Sequence, residues 1–263
     1  MKIPVLYIVI PCYNEEEVLK STAAAVKAKL SQLQSKGLVA KTSRIVLVND
    51  GSKDKTWEII KEINHDDPTF NGVKLSRNRG HQNALVAGLL YSKDRSDVTI
   101  SMDADLQDDI DAIDQFIKAF HEGYDIVYGT RSSRTTDTRF KRWTARSFYK
   151  FMHKMGVDVV YDHADYRLIS KRALEEFAKY SEVNLFLRGI IPLIGFPSTT
   201  VSYVRNERQA GESKYPLKKM ISFALDGITS FSVKPIRFVF SIGIALSVIS
   251  VLFLVYVLVQ YLT

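Results

Sequence analysis

The stretch that decides the fold is TISMDADLQDD, residues 99–109, in which an apolar run of strand length leads straight into an acidic segment. Four carboxylates fall within seven residues there: Asp103, Asp105, Asp108 and Asp109. Carboxylates packed this closely repel one another, so without a counter-charge the cluster costs stability and raises pKa values. The stretch therefore predicts a cation held at the end of a buried strand.

Similar apolar runs recur along the first half of the chain and alternate with segments of helix length. The predicted strands cover residues 5–10, 44–49, 72–75, 98–102 and 125–128. This alternation is typical of an α/β fold in which helices flank a mostly parallel sheet.

A polar motif follows each predicted strand: PCYNEEE, NDGSKDKT, SRNRGHQNA, DADLQDD and GTRSSR, in chain order. Ordinary turn chemistry explains any one of them, because Asn, Asp, Gly and Ser are common turn residues. In open parallel sheets, however, ligands bind beyond the carboxyl ends of the strands. Five motifs at one edge therefore predict a single site.

Asp103 and Asp105 leave the strand end one residue apart, where a tight turn aims both carboxylates at one hard cation, Mg²⁺ or Mn²⁺. Gln107 offers a further neutral oxygen. Asp108 or Asp109 is expected to cap the helix that follows. The acidic stretch thus divides into metal ligands and a helix cap.

A cation held by two or three protein oxygens keeps positions for substrate phosphates. Because no Walker-type loop or G-x-G-x-x-G follows the first strand, P-loop hydrolysis and dinucleotide redox chemistry are disfavoured, and a nucleotide diphosphate remains. Asp50 is expected to accept hydrogen bonds from the base or ribose. A turn-forming Asp before Gly51 is the alternative.

The C-terminal segment predicts a membrane span, because residues 238–263 hold no charged side chain over 26 positions. The basic residues before it place the larger N-terminal part in the cytoplasm by the positive-inside rule. Apolar residues at helical spacing over 217–231 predict an amphipathic helix in the membrane interface, with an ordinary core-facing helix as the alternative.

The chain carries a net charge of +7, and seven basic residues stand against one Asp in residues 130–150. That local field would attract phosphates or an anionic membrane, although a solvated helix face explains it as well. No nucleic-acid partner is expected, because no nucleic-acid-binding module is recognisable. The single Cys12 forms no internal disulfide.

The motifs PCYNEEE, VNDGSKDKT, LSRNRGHQNAL, MDADLQD, YGTR and HADYRLISKRAL together resemble the inverting family 2 glycosyltransferases of GT-A fold. The resemblance covers about residues 3–215 and is greatest to polyisoprenyl-phosphate glycosyltransferases related to dolichol-phosphate mannose synthase and the bacterial bactoprenol glucosyltransferases. It implies that a sugar moves from a nucleotide diphosphate sugar to polyprenyl (undecaprenyl) phosphate at a membrane. A UDP sugar, glucose or an N-acetylhexosamine, is preferred over the alternative, GDP-mannose.

The resemblance also implies residue roles. Asp165 matches the catalytic base, with Asp162 as its nearest competitor and a structural pairing of Asp165 with Arg167 as the alternative reading. Asp103, Asp105 and Gln107 match the metal ligands. The implied nucleotide-sugar contacts are Pro11, Tyr13, Asn14, Glu15, Asp50, Ser52, Arg77, Asp103 and Ala104. Arg131 of the YGTR motif is the implied contact to the lipid phosphate. Four further basic residues are expected to contact it because of their charge and their donors suited to phosphate: Arg142, Arg146, Arg208 and Lys214.

The expected organisation is a catalytic domain over 1–212, juxtamembrane amphipathic helices over 213–235 and a transmembrane helix over 236–263. Relatives commonly carry two or more spans, whereas this sequence predicts one, and a homo-oligomer is expected. RQAGESKY stands where processive synthases carry Q-x-x-R-W, which argues against polymer synthesis. A metal-dependent nucleotidyltransferase and a non-catalytic membrane-anchored binding protein remain as alternatives.

Overall fold

The structure, a computed structural model, describes residues 3–131, 163–180, 187–205 and 234–262. Within them the α/β alternation predicted from the sequence is confirmed. In chain order the elements are β1 Leu6–Cys12, α1 Leu19–Ser35, β2 Arg44–Asn49, α2 Thr56–Asp66, β3 Phe70–Lys74, α3 His81–Ser92, β4 Val98–Ser101, α4 Ala112–His121, β5 Ile126–Arg131, β6 His163–Ser170, α5 Lys171–Phe177, α6 Leu187–Leu193, β7 Ser198–Tyr203 and α7 Lys234–Leu262.

The described strands form one sheet in the order β3-β2-β1-β4-β6-β5-β7. All neighbouring strands run parallel except β6, which is antiparallel to both β4 and β5. The sequence pattern did not predict β6 or β7. Because β6 runs backwards between β4 and β5, its first residues lie beside the carboxyl ends of those strands. The register pairs Ser101 with Arg167 and so brings Asp165 to the acidic edge.

Helices cover both faces of the sheet. Leu6, Ile8 and Ile10 of β1 pack against the apolar stripes of α1 and α4, whereas Tyr7 and Val9 face α3, α5 and α6. Successive side chains of a strand point to opposite faces, so a strand covered on both sides is apolar throughout, as β1 is.

The prediction that Asp108 or Asp109 caps helix α4 is wrong. Helix α4 begins at Ala112, after Asp111, and Asp108 is buried, accepting a hydrogen bond from the Tyr203 hydroxyl. Asp109 accepts the Asp111 N–H at 2.9 Å and so closes the turn before the helix. The pairing of Asp108 with β7 is a tertiary contact that the local pattern does not encode.

Helix α7 contains a 27-residue segment, Ile236–Leu262, of mean hydropathy 2.8, and no residue in the most apolar part of this segment is buried. By length and composition it is able to cross a membrane, as the charge-free C-terminal segment predicted. The predicted amphipathic helix over 217–231 lies outside the described residues.

Candidate active site

The loops after β1 and β2 are joined to each other by hydrogen bonds. Asn14, in the left-handed region at φ 53°, donates its N–H to Ser52 Oγ at 3.1 Å, and its side-chain oxygen accepts the Lys53 N–H at 2.9 Å. The Glu15 N–H donates to Thr56 Oγ1 at 2.8 Å. The structure thus brings three of the predicted nucleotide contacts together: Asn14, Glu15 and Ser52. Their role in binding stays a prediction.

Asp50 anchors the loop that precedes α3. Its carboxylate is buried and accepts the Arg79 N–H at 2.7 Å and the Gly80 N–H at 2.9 Å. The next residue, Gly51, packs so closely that an added Cβ would lie 2.4 Å from the backbone of Arg77. Neither the expected nucleotide contact nor a simple turn predicts this anchoring of residues 79–80.

The acidic loop after β4 is fixed from several elements. Thr22 Oγ1 of α1 donates to the Ala104 carbonyl at 2.6 Å, and the Tyr166 hydroxyl of β6 donates to the Asp109 carbonyl at 2.9 Å. Between these points Leu106 adopts φ 53°. A loop held at both ends presents its carboxylates in a defined geometry, as a metal site requires.

The carboxylates of this loop fit a divalent cation. Burial and the neighbouring Asp165 and Asp105 raise the pKa of Asp103, and His81 offsets only part of that rise. The described residues contain no group of three or more His, Cys, Asp or Glu able to hold a metal, and the role of Asp103 and Asp105 as metal ligands stays a prediction. Gln107, the predicted third ligand, accepts a hydrogen bond from Arg205 through Oε1.

Asp165 lies among cationic side chains at the start of β6. Arg167 donates to its Oδ1, and Arg188 of α6 reaches the two carboxylate oxygens at 3.4 Å each. Burial alone would raise the pKa of Asp165, but Arg188, His81 and Arg167 hold it well below its usual range. The carboxylate is therefore ionised at neutral pH. The pairing with Arg167, which the sequence offered as the alternative to a catalytic base, is present, and the role of Asp165 stays a prediction.

His81 stands between the two groups of carboxylates. Its Nε2 lies 3.6 Å from Asp103 Oδ1 and 3.6 Å from Asp165 Oδ2. Burial disfavours the imidazolium, but the two carboxylates outweigh burial and raise the pKa of His81 to about 9. The sequence patterns did not identify His81 or Arg188 as site residues. His81 had a signal, its place in the SRNRGHQNA motif, whereas Arg188 had none.

Arg131 ends β5 beside the acidic loop, paired in register with Tyr203. Its charge lowers the pKa values of Asp103 and Asp108, although burial still raises that of Asp108 to about 6. The other predicted acceptor-side residues lie outside the described residues: Arg142, Arg146, Asp162, Arg208 and Lys214.

Residues 7–178 match the family described as glycosyl transferase family 2. An uncharacterized glycosyltransferase of Bacillus subtilis (strain 168), YkoT, is 54% identical over 94% of this chain and 73% of its own length. The bactoprenol glucosyl transferase of Shigella phage SfX is 38% identical over 94% of this chain and 78% of its own.

Among solved structures, glucosyl-3-phosphoglycerate synthase from Mycobacterium tuberculosis, crystallised with Mn²⁺, UDP and phosphoglyceric acid, superposes with a TM-score of 0.55 at 19% identity. The superposition covers 84% of this chain and 75% of that chain. At this identity the likeness concerns the fold alone, and it confirms the GT-A fold.

Proposed function

The chain belongs to glycosyl transferase family 2, and from that premise we propose that it transfers a sugar from a UDP sugar to polyprenyl phosphate with inversion. Membership makes it a glycosyltransferase rather than the nucleotidyltransferase or binding protein that the sequence left open. The observation that carries the proposal is that Asp103 and Asp165 lie within 3.6 Å of the same His81 nitrogen. A donor held at Asp103 and an acceptor held at Asp165 would be neighbours.

On the donor side, Asp103 and Asp105 would hold Mg²⁺ or Mn²⁺. When bound, such an ion stabilises the negative charge that develops on a departing nucleotide diphosphate. The joined loops after β1 and β2 would hold the nucleotide beside it, through the residues predicted from the resemblance: Pro11, Tyr13, Asn14, Glu15, Asp50, Ser52, Arg77 and Ala104.

On the acceptor side, a phosphate oxygen of the lipid would attack the anomeric carbon from the face opposite the leaving group, which inverts the configuration. The second pKa of a phosphate monoester is about 6, so at neutral pH most acceptor molecules are already deprotonated and need no base. An Asp165 whose pKa lies well below the usual range is a poor proton acceptor. We therefore propose that Asp165 orients the neighbouring cationic side chains toward the acceptor and that Arg131 contacts the acceptor phosphate.

The acceptor would be a membrane lipid. Two observations support this: the 38% identity to a bactoprenol glucosyl transferase and the span-length helix α7. The proposed organisation is a catalytic domain over 1–212 on the cytoplasmic face, juxtamembrane helices over 213–235 and a transmembrane helix over 236–263. Assembly as a homo-oligomer belongs to the same proposal.

The test incubates the purified full chain with Mn²⁺ or Mg²⁺, undecaprenyl phosphate and, in turn, UDP-glucose, UDP-N-acetylglucosamine and GDP-mannose. We expect a glycosylated lipid and free UDP with one of the uridine donors, and loss of product when EDTA removes the cation. Product from GDP-mannose alone supports the mannosyltransferase alternative. No product with any donor contradicts the proposal.

A further inference from the structure

We propose that His81 is a positioning residue that couples the donor side of the site to the acceptor side, by holding Asp103 and Asp165 through one imidazole nitrogen. The inference deepens the proposed function and rests on it for the meaning of the two sides. The geometry that carries it is the pair of 3.6 Å distances from Nε2 to Asp103 Oδ1 and to Asp165 Oδ2.

The position of His81 is fixed from β2. His81 is the first residue of α3, and the backbone immediately before it is held by the buried Asp50 carboxylate through the N–H groups of Arg79 and Gly80. Gly80 adopts φ 88°, which directs the chain into the helix. The backbone that leads into His81 is therefore held by hydrogen bonds of 2.7 and 2.9 Å.

The residue after His81 supports the same arrangement by a second route. Gln82 Oε1 accepts the Leu187 N–H at 3.1 Å, which fixes the start of α6 against α3. Arg188 follows immediately and contacts both oxygens of Asp165 at 3.4 Å. The first turn of α3 thus reaches Asp165 directly through His81 and indirectly through Gln82 and Arg188.

The negative charges of Asp103 and Asp165 explain why a polar N–H group between them stabilises the site. Asp103 follows the end of β4 and Asp165 lies near the start of β6, and like charges at neighbouring strand ends repel. The polar contact of His81 Nε2 with an oxygen of each carboxylate, at 3.6 Å, keeps both in place, as outer-sphere contacts do for metal-binding carboxylates. Without it, Asp103 loses its orientation toward a cation and Asp165 loses its orientation toward the acceptor.

The test compares His81→Ala, His81→Gln and the control His65→Ala, which removes an exposed imidazole at the end of α2. Both His81 variants remove the imidazole and its charge, and only Gln retains an N–H. Mn²⁺ binding in the presence of UDP, read from the electron paramagnetic resonance of free Mn²⁺, is therefore expected to be about 3–10-fold weaker in His81→Ala than in His81→Gln. His65→Ala should bind Mn²⁺ like the unaltered protein.

Mn²⁺ affinity in His81→Ala that equals or exceeds that of His81→Gln would overturn the proposal. A double-mutant cycle with Asp165→Asn, read by the same Mn²⁺ titration, adds a second criterion: coupled residues give non-additive effects, and additive effects contradict the coupling. The Mn²⁺ readout requires neither sugar nor lipid. A wrong donor or acceptor in the proposed function therefore leaves this test intact.

Discussion

The hydroxyl of Tyr166 donates a 2.9 Å hydrogen bond to the backbone carbonyl oxygen of Asp109, 57 residues away. Tyr166 lies between Asp165 and Arg167 on β6, and neighbouring side chains of a strand point to opposite faces of the sheet. Tyr166 accordingly packs in the core shared with α1 and α4, where its ring centroid lies 4.7 Å from that of Phe116. One strand thus carries the proposed acceptor-side carboxylate on one face and secures the acidic loop from the other.

We expect Tyr166→Phe to weaken cation binding without abolishing the fold. The substitution keeps the ring but leaves the Asp109 carbonyl without this donor, which costs about 1–2 kcal/mol of unfolding free energy. Loosening of the acidic loop should lower Mn²⁺ affinity several-fold, measured by titration with UDP present. Tyr91→Phe, at a half-buried tyrosine near the C-terminal end of α3, is the matched control. Unchanged Mn²⁺ affinity in Tyr166→Phe would show that this hydrogen bond does not position the loop.

Asp105→Ala and Asp165→Asn should both abolish turnover, but for different reasons. Loss of Asp105 removes a proposed ligand of the cation, so UDP-sugar binding and rate should fall together, the rate by about 10²–10³-fold. Asp165→Asn keeps the donor wall intact, so UDP-sugar binding should survive. Calorimetric titration with the UDP sugar and Mn²⁺ separates the two. Wild-type turnover in either variant would remove that residue from the proposed mechanism.

Gly51→Ala should be much more damaging than Gly37→Ala. Both glycines have positive φ, 64° and 68°, but an added Cβ at Gly51 would lie 2.4 Å from the backbone of Arg77, whereas Gly37 has nothing within 4 Å. Gly37→Ala should cost about 1–2 kcal/mol from backbone strain alone. Gly51→Ala should cost more and also weaken UDP binding, because it displaces the loop that leads into α3. Equal losses in thermal unfolding would contradict the close approach.

Asp125→Asn should destabilise the protein in a pH-dependent way. Burial would raise the pKa of Asp125, but hydrogen bonds from Arg172 and Ser170 lower it below the ordinary 3.8. A carboxyl whose pKa falls on folding stabilises the folded state above that ordinary value, and this stabilisation is lost as the pH drops through the folded pKa.

The expected loss at pH 7 is about 1–2 kcal/mol, reduced from that of a fully buried pair because the Arg172 side chain is 61% exposed. Urea unfolding at a series of pH values should show the difference shrinking below pH 3.8. Asp94→Asn, which alters a carboxylate that is 71% exposed, should show no such trend. A difference that does not change with pH would rule out this ionic contribution.

Much of the fold was predictable because its signals are local. A strand buried on both faces is apolar throughout, as in β1 and β2, and that composition identifies it without reference to any partner. Motifs at the ends of such strands share an edge by the geometry of a parallel sheet, so Asp103 and Asp105 were placed correctly after β4. The length and apolarity of α7 likewise need no tertiary information.

The sequence by itself determined the α/β alternation, the acidic loop at the end of a buried strand and a C-terminal helix long enough to span a membrane. Only the tertiary structure decided that β6 runs antiparallel between β4 and β5, that His81 lies between Asp103 and Asp165, and that Arg188 reaches Asp165. The physical reason is distance along the chain, because hydrophobic periodicity and turn chemistry depend on residues that are only a few positions apart. These contacts instead join residues far apart in sequence, and they depend on the order and direction in which strands pair.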